Sequence, residues 1–232
     1  MNRAERYLWS DQGLVGLEYL KKQRGLFPHT ITQARLGYIP PNPNGSRVWW
    51  RVNSLSFPGN AITIPWISDG ILWGIKMRWL DGQSEYRYRQ PKTVGPDLDP
   101  KVDKSSLDGS LYWADDILPG WPIMVVEGEF NCLIAWQDGR DMCCPVSLGT
   151  SGTVLNSRWY ANLATAPRLQ TLYDADPAGQ KGAAKLAALS QRVHPIYLPE
   201  GIKDLNDFHL ICRDAGELRG VTDWIESVMN NT

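Results

Sequence analysis

The chain has 232 residues, 43% of them hydrophobic, which is enough for one large domain or two small ones with packed cores. Its 24 Lys and Arg residues nearly balance its 25 Asp and Glu residues, so the net charge of −1 excludes nucleic-acid recognition through bulk charge, and such a partner must meet a local basic patch. The apolar runs are too short to span a bilayer and the first residues lack a signal-peptide pattern, which predicts a cytoplasmic protein with no membrane partner. The 4 cysteines include no CxxC pair, which excludes a zinc finger and favours buried thiols.

The first 40 residues are predicted to be mainly helical. Ser10 precedes leucines that recur at helical spacing and is predicted to cap a helix. Thr30 and Gln33 have the spacing of a capping box, which predicts the start of a second short helix.

Residues 47–90 are rich in β-branched and aromatic residues and predict a small antiparallel sheet. Asp-Gly pairs at 69–70 and 81–82 separate these runs, and such pairs are typical of tight hairpin turns. Residues 91–110 are polar and are predicted to form a long loop.

From residue 121 onward, short apolar runs alternate with helical patterns. This alternation is typical of a parallel sheet with helical crossovers. We therefore predict an α+β N-terminal subdomain over residues 1–118, with helices and a small antiparallel sheet, followed by an α/β domain over residues 119–232 with a parallel central sheet and C-terminal helices.

Acidic residues follow the predicted strands of the second domain. Glu127 follows one strand, Asp174 and Asp176 follow another, and Asp204 and Asp207 come after a third. Strand ends of a parallel sheet share one edge, so these carboxylates should meet there and need a cation to offset their repulsion. Oxygen ligands favour Mg²⁺ or Mn²⁺, and Mg²⁺ bound by carboxylates usually handles phosphates.

Each of these acids also has a possible structural role. A single acid just before a helix is more often an N-cap, and Asp176 before Pro177 suits that role. The whole set favours a metal site, but its order along the chain is also compatible with a phosphatase or a receiver-type domain.

The motifs themselves are more specific. The ordered segments "VVEGEFNCL", "VSLGTSG", "YDADPAG" and "PEGIKDLND" resemble the TOPRIM domain of DnaG-type primases, topoisomerases and related proteins. The resemblance covers about residues 121–215. It implies that Glu127 is the catalytic acid, that Asp174 and Asp176 are a catalytic, metal-binding pair, and that Asp204, with Asp207, adds further metal ligands.

The segment before the TOPRIM-like motifs indicates which of these TOPRIM proteins the chain resembles. "YLKKQRGLFPHTITQARLGYIP" resembles the N-terminal part of the DnaG-type polymerase core, so the resemblance spans most of the chain and points to a compact phage-like or mobile-element form. It implies a single-stranded DNA template and nucleoside triphosphates as partners. No zinc-ribbon or helicase module is expected in this chain, so a replicative helicase or a separate zinc-binding initiation protein is a further expected partner.

The chain departs from the family at one site position. The family motif "EGxxD" reads "EGEFN" here, with Asn131 in the last place. An asparagine oxygen can ligate a hard cation but brings no charge, so weaker divalent binding is predicted. Asn131→Asp should then lower the metal concentration needed for activity.

A basic segment lies between the predicted hairpin and the polar loop. On strands, residues two apart share a face, so a cationic ribbon could follow a phosphate backbone or bind triphosphates. A solvated strand face is the alternative. The candidate nucleic-acid or nucleotide ligands are Lys76, Arg78, Arg87, Arg89, Lys92, Lys181 and Lys203.

The resemblance implies that the chain is the catalytic core of a DnaG-type primase, an enzyme that makes short primers by metal-dependent nucleotidyl transfer. A TOPRIM nuclease with the same acids is one alternative. A degenerate TOPRIM module that binds single strands or scaffolds a replisome without catalysis is the other.

Overall fold

The computed structural model describes residues 1–44, 48–52, 55–80, 88–89, 107, 110–150, 156–174, 176–188 and 190–230. These residues form two compact units. The first draws on Met1–Gln23, Phe27–Ile67 and Ile71–Asp108, and the second on Arg24–Leu26, Ser68–Gly70 and Gly109–Thr232.

The first unit combines short helices with an antiparallel sheet. Its elements in chain order are α1 (Asn2–Leu8), α2 (Leu14–Glu18), a π-helical turn (Tyr19–Gln23), α3 (Pro28–Gln33), β1 (Gly37–Ile39), β2 (Val48–Val52), β3 (Leu55–Pro58), β4 (Ala61–Ser68), β5 (Ile71–Trp79) and β6 (Tyr88–Arg89). One sheet has the strand order β1-β4-β5-β6, and β2 pairs with β3 in a separate antiparallel ribbon. The buried side chains Ile39, Ala61 and Met77 form a small core cluster in this unit.

The turn between β4 and β5 confirms one hairpin prediction. Asp69 and Gly70 have φ values of +54° and +68°, so both central residues are left-handed, as a type I′ turn requires. The second predicted Asp-Gly turn, at 81–82, lies outside the described residues.

The second unit is built on a parallel sheet. Its strands are β7 (Ile123–Val126), β8 (Cys144–Ser147), β9 (Leu169–Leu172) and β10 (Val193–Pro195), and its helices are α4 (Glu129–Gly139), α5 (Tyr160–Ala164), α6 (Pro177–Ala187), α7 (Leu205–Asp214) and α8 (Gly220–Asn230). The strand order is β10-β9-β7-β8, and the described pairings are parallel. The predicted fold class is therefore confirmed.

Helices cover both faces of the parallel sheet. Ile123 and Val125 share one core cluster with Leu163 of α5 and Leu186 of α6. On the other face Gln170 donates a hydrogen bond from Nε2 to the Val228 carbonyl of α8, at 2.8 Å. Burial on both faces explains why these short strands read as continuous apolar runs. The four cysteines are free and buried, as expected.

Helix starts were predicted less well than strands. Ser10 makes no side-chain cap, because its Oγ donates to the Tyr7 carbonyl instead (2.8 Å). The helix predicted to start at Thr30 is α3, which begins at Pro28, so Thr30 lies inside it and the predicted capping box was wrong. Proline at the first helical position sets this start, since its fixed φ suits a helix and its missing N–H is not needed there.

No helix in the described part of the chain is long and apolar enough to cross a membrane.

Candidate active site

Parallel pairing brings the predicted acidic residues to one edge of the second unit's sheet. Val126 pairs with Leu172 at the ends of β7 and β9, so Glu127 and Asp174 follow neighbouring strand ends. The Glu127 backbone N–H also donates to the Leu172 carbonyl, at 3.2 Å. This register places both acids at the edge where parallel α/β sheets carry their functional groups.

Asp174 is the electrostatic centre of this group. Burial raises its pKa to about 7, with further raising contributions from the carboxylates of Glu127, Asp204 and Asp176, whereas Lys203 lowers it. Charges shift a pKa in this way only when they are close. Four of the five predicted metal ligands therefore share one electrostatic neighbourhood, which also includes Lys203. Asp207 is half-buried in the first turn of α7 and is not among the groups that shift the Asp174 pKa.

Two of these acids also cap helices. Asp176 Oδ1 accepts from the Gly179 backbone N–H at the start of α6 (2.8 Å), and Asp204 Oδ1 accepts from the Asp207 N–H at the start of α7 (2.8 Å). The capping interpretation of Asp176 is thus correct. It does not compete with ligation, because a carboxylate has a second oxygen.

Glu127 is held between a strand and a glycine. The following Gly128 has φ +77° and ψ 156°, a conformation open essentially to glycine alone, and it serves as the N-cap residue of α4. The half-buried Glu127 carboxylate keeps Oε2 out of solvent and contributes, after burial, to raising the pKa of Tyr173. The glycine of the "EG" motif therefore turns the chain from β7 into α4 directly after the acid.

Gly179 determines how closely α6 approaches Asp174. A Cβ atom built on Gly179 would lie 2.1 Å from the Asp174 carbonyl oxygen, far inside van der Waals contact. The glycine that ends the "DADPAG" motif is therefore needed for the first turn of α6 to pack on the backbone that carries the central acid.

The donor set fits a hard divalent cation in its chemistry, since it consists of carboxylates whose mutual repulsion already perturbs Asp174. Among the residues the structure describes, however, no group of three His, Cys, Asp or Glu side chains is close enough to hold a metal ion.

Asn131 reaches the strand-end cluster, but as a hydrogen-bond donor. Its Nδ2 lies 2.9 Å from the Glu127 carbonyl oxygen and 3.4 Å from Asp174 Oδ1. Its Oδ1 accepts from the Asn206 backbone N–H at 3.0 Å, so the oxygen that was predicted to ligate a cation is already engaged. Asn206 and Arg24, which bonds to it, were missed by the site prediction although both lie inside the motifs "KDLND" and "QRGL".

The basic candidates described in the first unit differ in burial and in strand register. Lys76 is only 7% exposed, with its ammonium 5.9 Å from the Trp66 ring centroid, which counts against a role in phosphate binding. Arg78 is half-buried on β5 and pairs with Tyr88 of β6, whereas Arg89 pairs with Met77. The register of these two strands therefore does not set Arg78 opposite Arg89.

The remaining basic candidates divide into two groups. Lys181 on α6 and Lys203 are exposed in the second unit. Arg87 and Lys92 lie outside the described residues.

Comparison with known proteins supports this description of the second unit. Residues 124–209 match the family model described as Toprim-like. No curated protein has significant sequence similarity to the chain.

Solved structures extend the likeness over nearly the whole chain. A DnaG primase catalytic domain bound to single-stranded DNA is 18% identical, with a TM-score of 0.67, over 99% of this chain and 77% of that one. The RNA polymerase domain of Mycobacterium tuberculosis primase DnaG is 19% identical, with a TM-score of 0.66, over 95% and 79% of the two chains. A further DnaG catalytic core is 18% identical, with a TM-score of 0.65, over 94% and 76%.

The resemblance inferred from the motifs is confirmed at the level of fold. The chain carries a Toprim-like domain and has the fold of the DnaG catalytic core. Glu127, Asp174 and Asp204 all lie within the matched Toprim-like residues.

The first prediction concerns the pH dependence of metal-free stability. The folded-state pKa of Asp174, about 7, exceeds its ordinary value of 3.8, so the folded protein binds more protons between these values and loses stability as the pH rises through them. Asp174→Asn removes this loss. It should raise the free energy of unfolding by about 1–2 kcal/mol at pH 8, after screening by solvent, and have little effect at pH 4.5.

Denaturant unfolding in the presence of a chelator measures this difference. Asp141→Asn is the control, because it removes an exposed carboxylate elsewhere in the same unit. An equal effect of Asp174→Asn at both pH values would contradict the carboxylate convergence.

The second prediction concerns Gly179. Gly179→Ala should destabilise the protein by about 1–3 kcal/mol through overpacking against Asp174, although alanine is the better helix former. Gln180→Ala, at the exposed neighbouring position of α6, should be nearly neutral. Thermal melts of both variants check this, and a stabilised Gly179→Ala would show that α6 does not pack on Asp174.

Proposed function

We propose that this chain is the catalytic core of a DnaG-type primase, which synthesises short primers on single-stranded DNA by metal-dependent nucleotidyl transfer. The observation that carries the proposal is the register of β7 and β9, which sets Glu127 and Asp174 after neighbouring strand ends, with Asp176 and Asp204 near enough to help raise the pKa of Asp174. Repulsion among these acids costs stability in the empty site, which is expected where a site is built to receive a cation.

The fold supports this choice among the uses of a carboxylate cluster. The likeness to DnaG catalytic cores covers nearly all of the chain, including the first unit, and one of those solved structures holds single-stranded DNA. A phosphatase or receiver domain would account for the acids but not for the first unit.

Each acid has its own part in the proposed chemistry. Glu127, Asp174, Asp176 and Asp204 would hold Mg²⁺ or Mn²⁺, which when bound would offset the negative charge of the triphosphate and activate the attacking primer 3′-hydroxyl. Asp176 and Asp204 each fix one oxygen through a helix cap, so their remaining oxygens start from restrained positions. Positioning of this kind supplies much of the rate in phosphoryl and nucleotidyl transfer.

The exposed cations of the second unit suit triphosphate binding. Lys203 is close enough to lower the pKa of Asp174, and it precedes the Asp204 cap. An exposed ammonium beside a carboxylate site can meet the phosphate oxygens that the acids themselves would repel. Lys181 is exposed on α6 and is a second candidate.

A primer-synthesis assay tests the proposal. Asp174→Asn with Asp176→Asn should reduce primer synthesis on a single-stranded template by at least about 10³-fold, because two charged ligands are lost. The fold should survive, since asparagine is as good an N-cap as aspartate at position 176. Labelled triphosphates, Mg²⁺ or Mn²⁺, and circular dichroism of both proteins provide the measurement.

Three outcomes of this assay separate the candidate functions. Extension that the double variant loses supports the primase, and Asp141→Asn should retain it. Degradation of the template identifies a nuclease that uses the same acids. Binding to single strands with neither reaction identifies a non-catalytic module.

A salt titration tests the basic segment of the first unit. Arg87→Ala with Arg89→Ala should weaken single-stranded DNA binding. The plot of the logarithm of the binding constant against the logarithm of the salt concentration should also become shallower, by about 0.7 for each lost phosphate contact. Arg213→Ala with Arg219→Ala is the matched control, because both arginines are engaged by aspartates, Asp214 and Asp223. Equal slopes for the two double variants would assign Arg87 and Arg89 to an ordinary solvated surface.

A further inference from the structure

We propose that Arg24, Asn206 and Asn131 form a hydrogen-bonded relay that positions the Asp174 carboxylate, so that Asn131 acts as a positioning residue and not as a cation ligand. The relay rests on the proposed function only in taking Asp174 as part of a divalent-cation site. Its hydrogen bonds are a separate matter and can be tested without any cation.

Asn131 uses both ends of its side-chain amide. Nδ2 donates to the Glu127 carbonyl (2.9 Å) and faces Asp174 Oδ1 (3.4 Å), while Oδ1 accepts from the Asn206 N–H (3.0 Å). An aspartate here would replace the donating Nδ2 with an oxygen that faces two other acceptors. The departure from the family motif therefore supplies hydrogen bonds that the usual residue cannot make.

Asn206 receives its cap from another element. It is the second residue of α7 after the N-cap Asp204, a position whose N–H has no partner inside the helix. Asp204 serves the Asp207 N–H, and Asn131 serves the Asn206 N–H. Asn131 thus ties the start of α7, which carries Asp204, to the strand ends that carry Glu127 and Asp174.

Arg24 fixes the far end of the relay. The Asn206 side chain, 3% exposed, accepts from Arg24 Nη1 at 3.0 Å and donates to the Arg24 carbonyl at 2.7 Å. The Arg24 guanidinium stacks over the Phe130 ring, with its Cζ 4.7 Å from the centroid. Arg24 therefore engages both the oxygen and the nitrogen of the Asn206 side-chain amide, which fixes the direction of the backbone N–H that donates to Asn131.

Cation binding separates positioning from simple charge. Arg24→Met removes a positive charge, so an effect of charge alone would make Mn²⁺ binding tighter. The relay instead predicts binding about tenfold weaker, as is typical when a residue that orients a metal ligand is lost. Arg140→Met is the matched control, because Arg140 stacks on Trp136 at the opposite end of α4 and loses the same charge. Titration of the full chain with Mn²⁺ alone, followed by its paramagnetic resonance signal, gives the dissociation constants.

Coupling between the variants adds a second measurement. Asn131→Leu should also weaken Mn²⁺ binding about tenfold, and Arg24→Met combined with it should add little, because both break one relay. Arg24→Lys keeps the charge but loses the forked donor, so its dissociation constant for Mn²⁺ should lie between those of wild type and Arg24→Met. This variant provides the same test if Arg24→Met folds poorly.

Hydrogen exchange of metal-free protein tests the bonds directly. Asn131→Leu should speed exchange of the Asn206 amide about fivefold to tenfold, as expected for loss of one hydrogen bond, without changing the Asp207 amide, which Asp204 caps. Unchanged Asn206 exchange would overturn the relay, and so would Mn²⁺ binding by Arg24→Met that is as tight as in wild type or tighter. Wild-type protein that binds Mn²⁺ but makes no primers would contradict the proposed function and leave the relay intact.

Discussion

The repulsion of carboxylates around Asp174 is the constraint that organises the second unit. Like charges separate unless the backbone holds them, and here each acid is tied to the end of a secondary-structure element: Glu127 to β7, Asp174 to β9, Asp176 to α6 and Asp204 to α7. The helix N-termini that Asp176 and Asp204 cap also favour negative charge in their own right. The fold thus stabilises each acid locally, but bringing the acids together disfavours the ionised form of Asp174. The pKa of Asp174, about 7, reflects this unfavourable free energy.

Small residues and amides make this assembly possible. Gly128 takes a conformation that other residues avoid, and Gly179 lets α6 contact the Asp174 backbone, so each motif glycine serves the acid beside it. A related contact occurs at Gly25, where an added Cβ would lie 2.4 Å from the His209 ring of α7. His209 is in turn fixed by Asp138 through a 2.7 Å contact at Nδ1. The Arg24–Gly25 segment therefore holds α7 at two places, through Asn206 and through His209.

Much of this arrangement could be predicted from the sequence, because the order of strands and helices determines which residues follow strand ends. The strands β7 to β9 and the position of Glu127 and Asp174 at one edge follow from alternating apolar runs and parallel pairing. The N-terminal helix starts could not be predicted, since the Ser10 hydroxyl donates to the Tyr7 carbonyl instead of capping, and Pro28 starts its helix before Thr30. The prediction that Asn131 reaches the strand-end cluster is confirmed, but its role as a donor depends on Asn206, which lies 75 positions further along the chain.

The basic segment shows a different limit of sequence reasoning. Alternation along a strand groups Lys76 with Arg78, but it carries no information on whether that face is covered, and Lys76 is buried against Trp66. The sequence also does not determine the register between these strands, and in the structure Arg89 pairs with Met77 and not with Arg78. Acids at strand ends escape both difficulties, because the edge of a parallel sheet is defined by chain direction alone. The carboxylates at the strand ends of this fold can therefore be predicted from one sequence, whereas a cationic surface on its antiparallel sheet can be identified only from the structure.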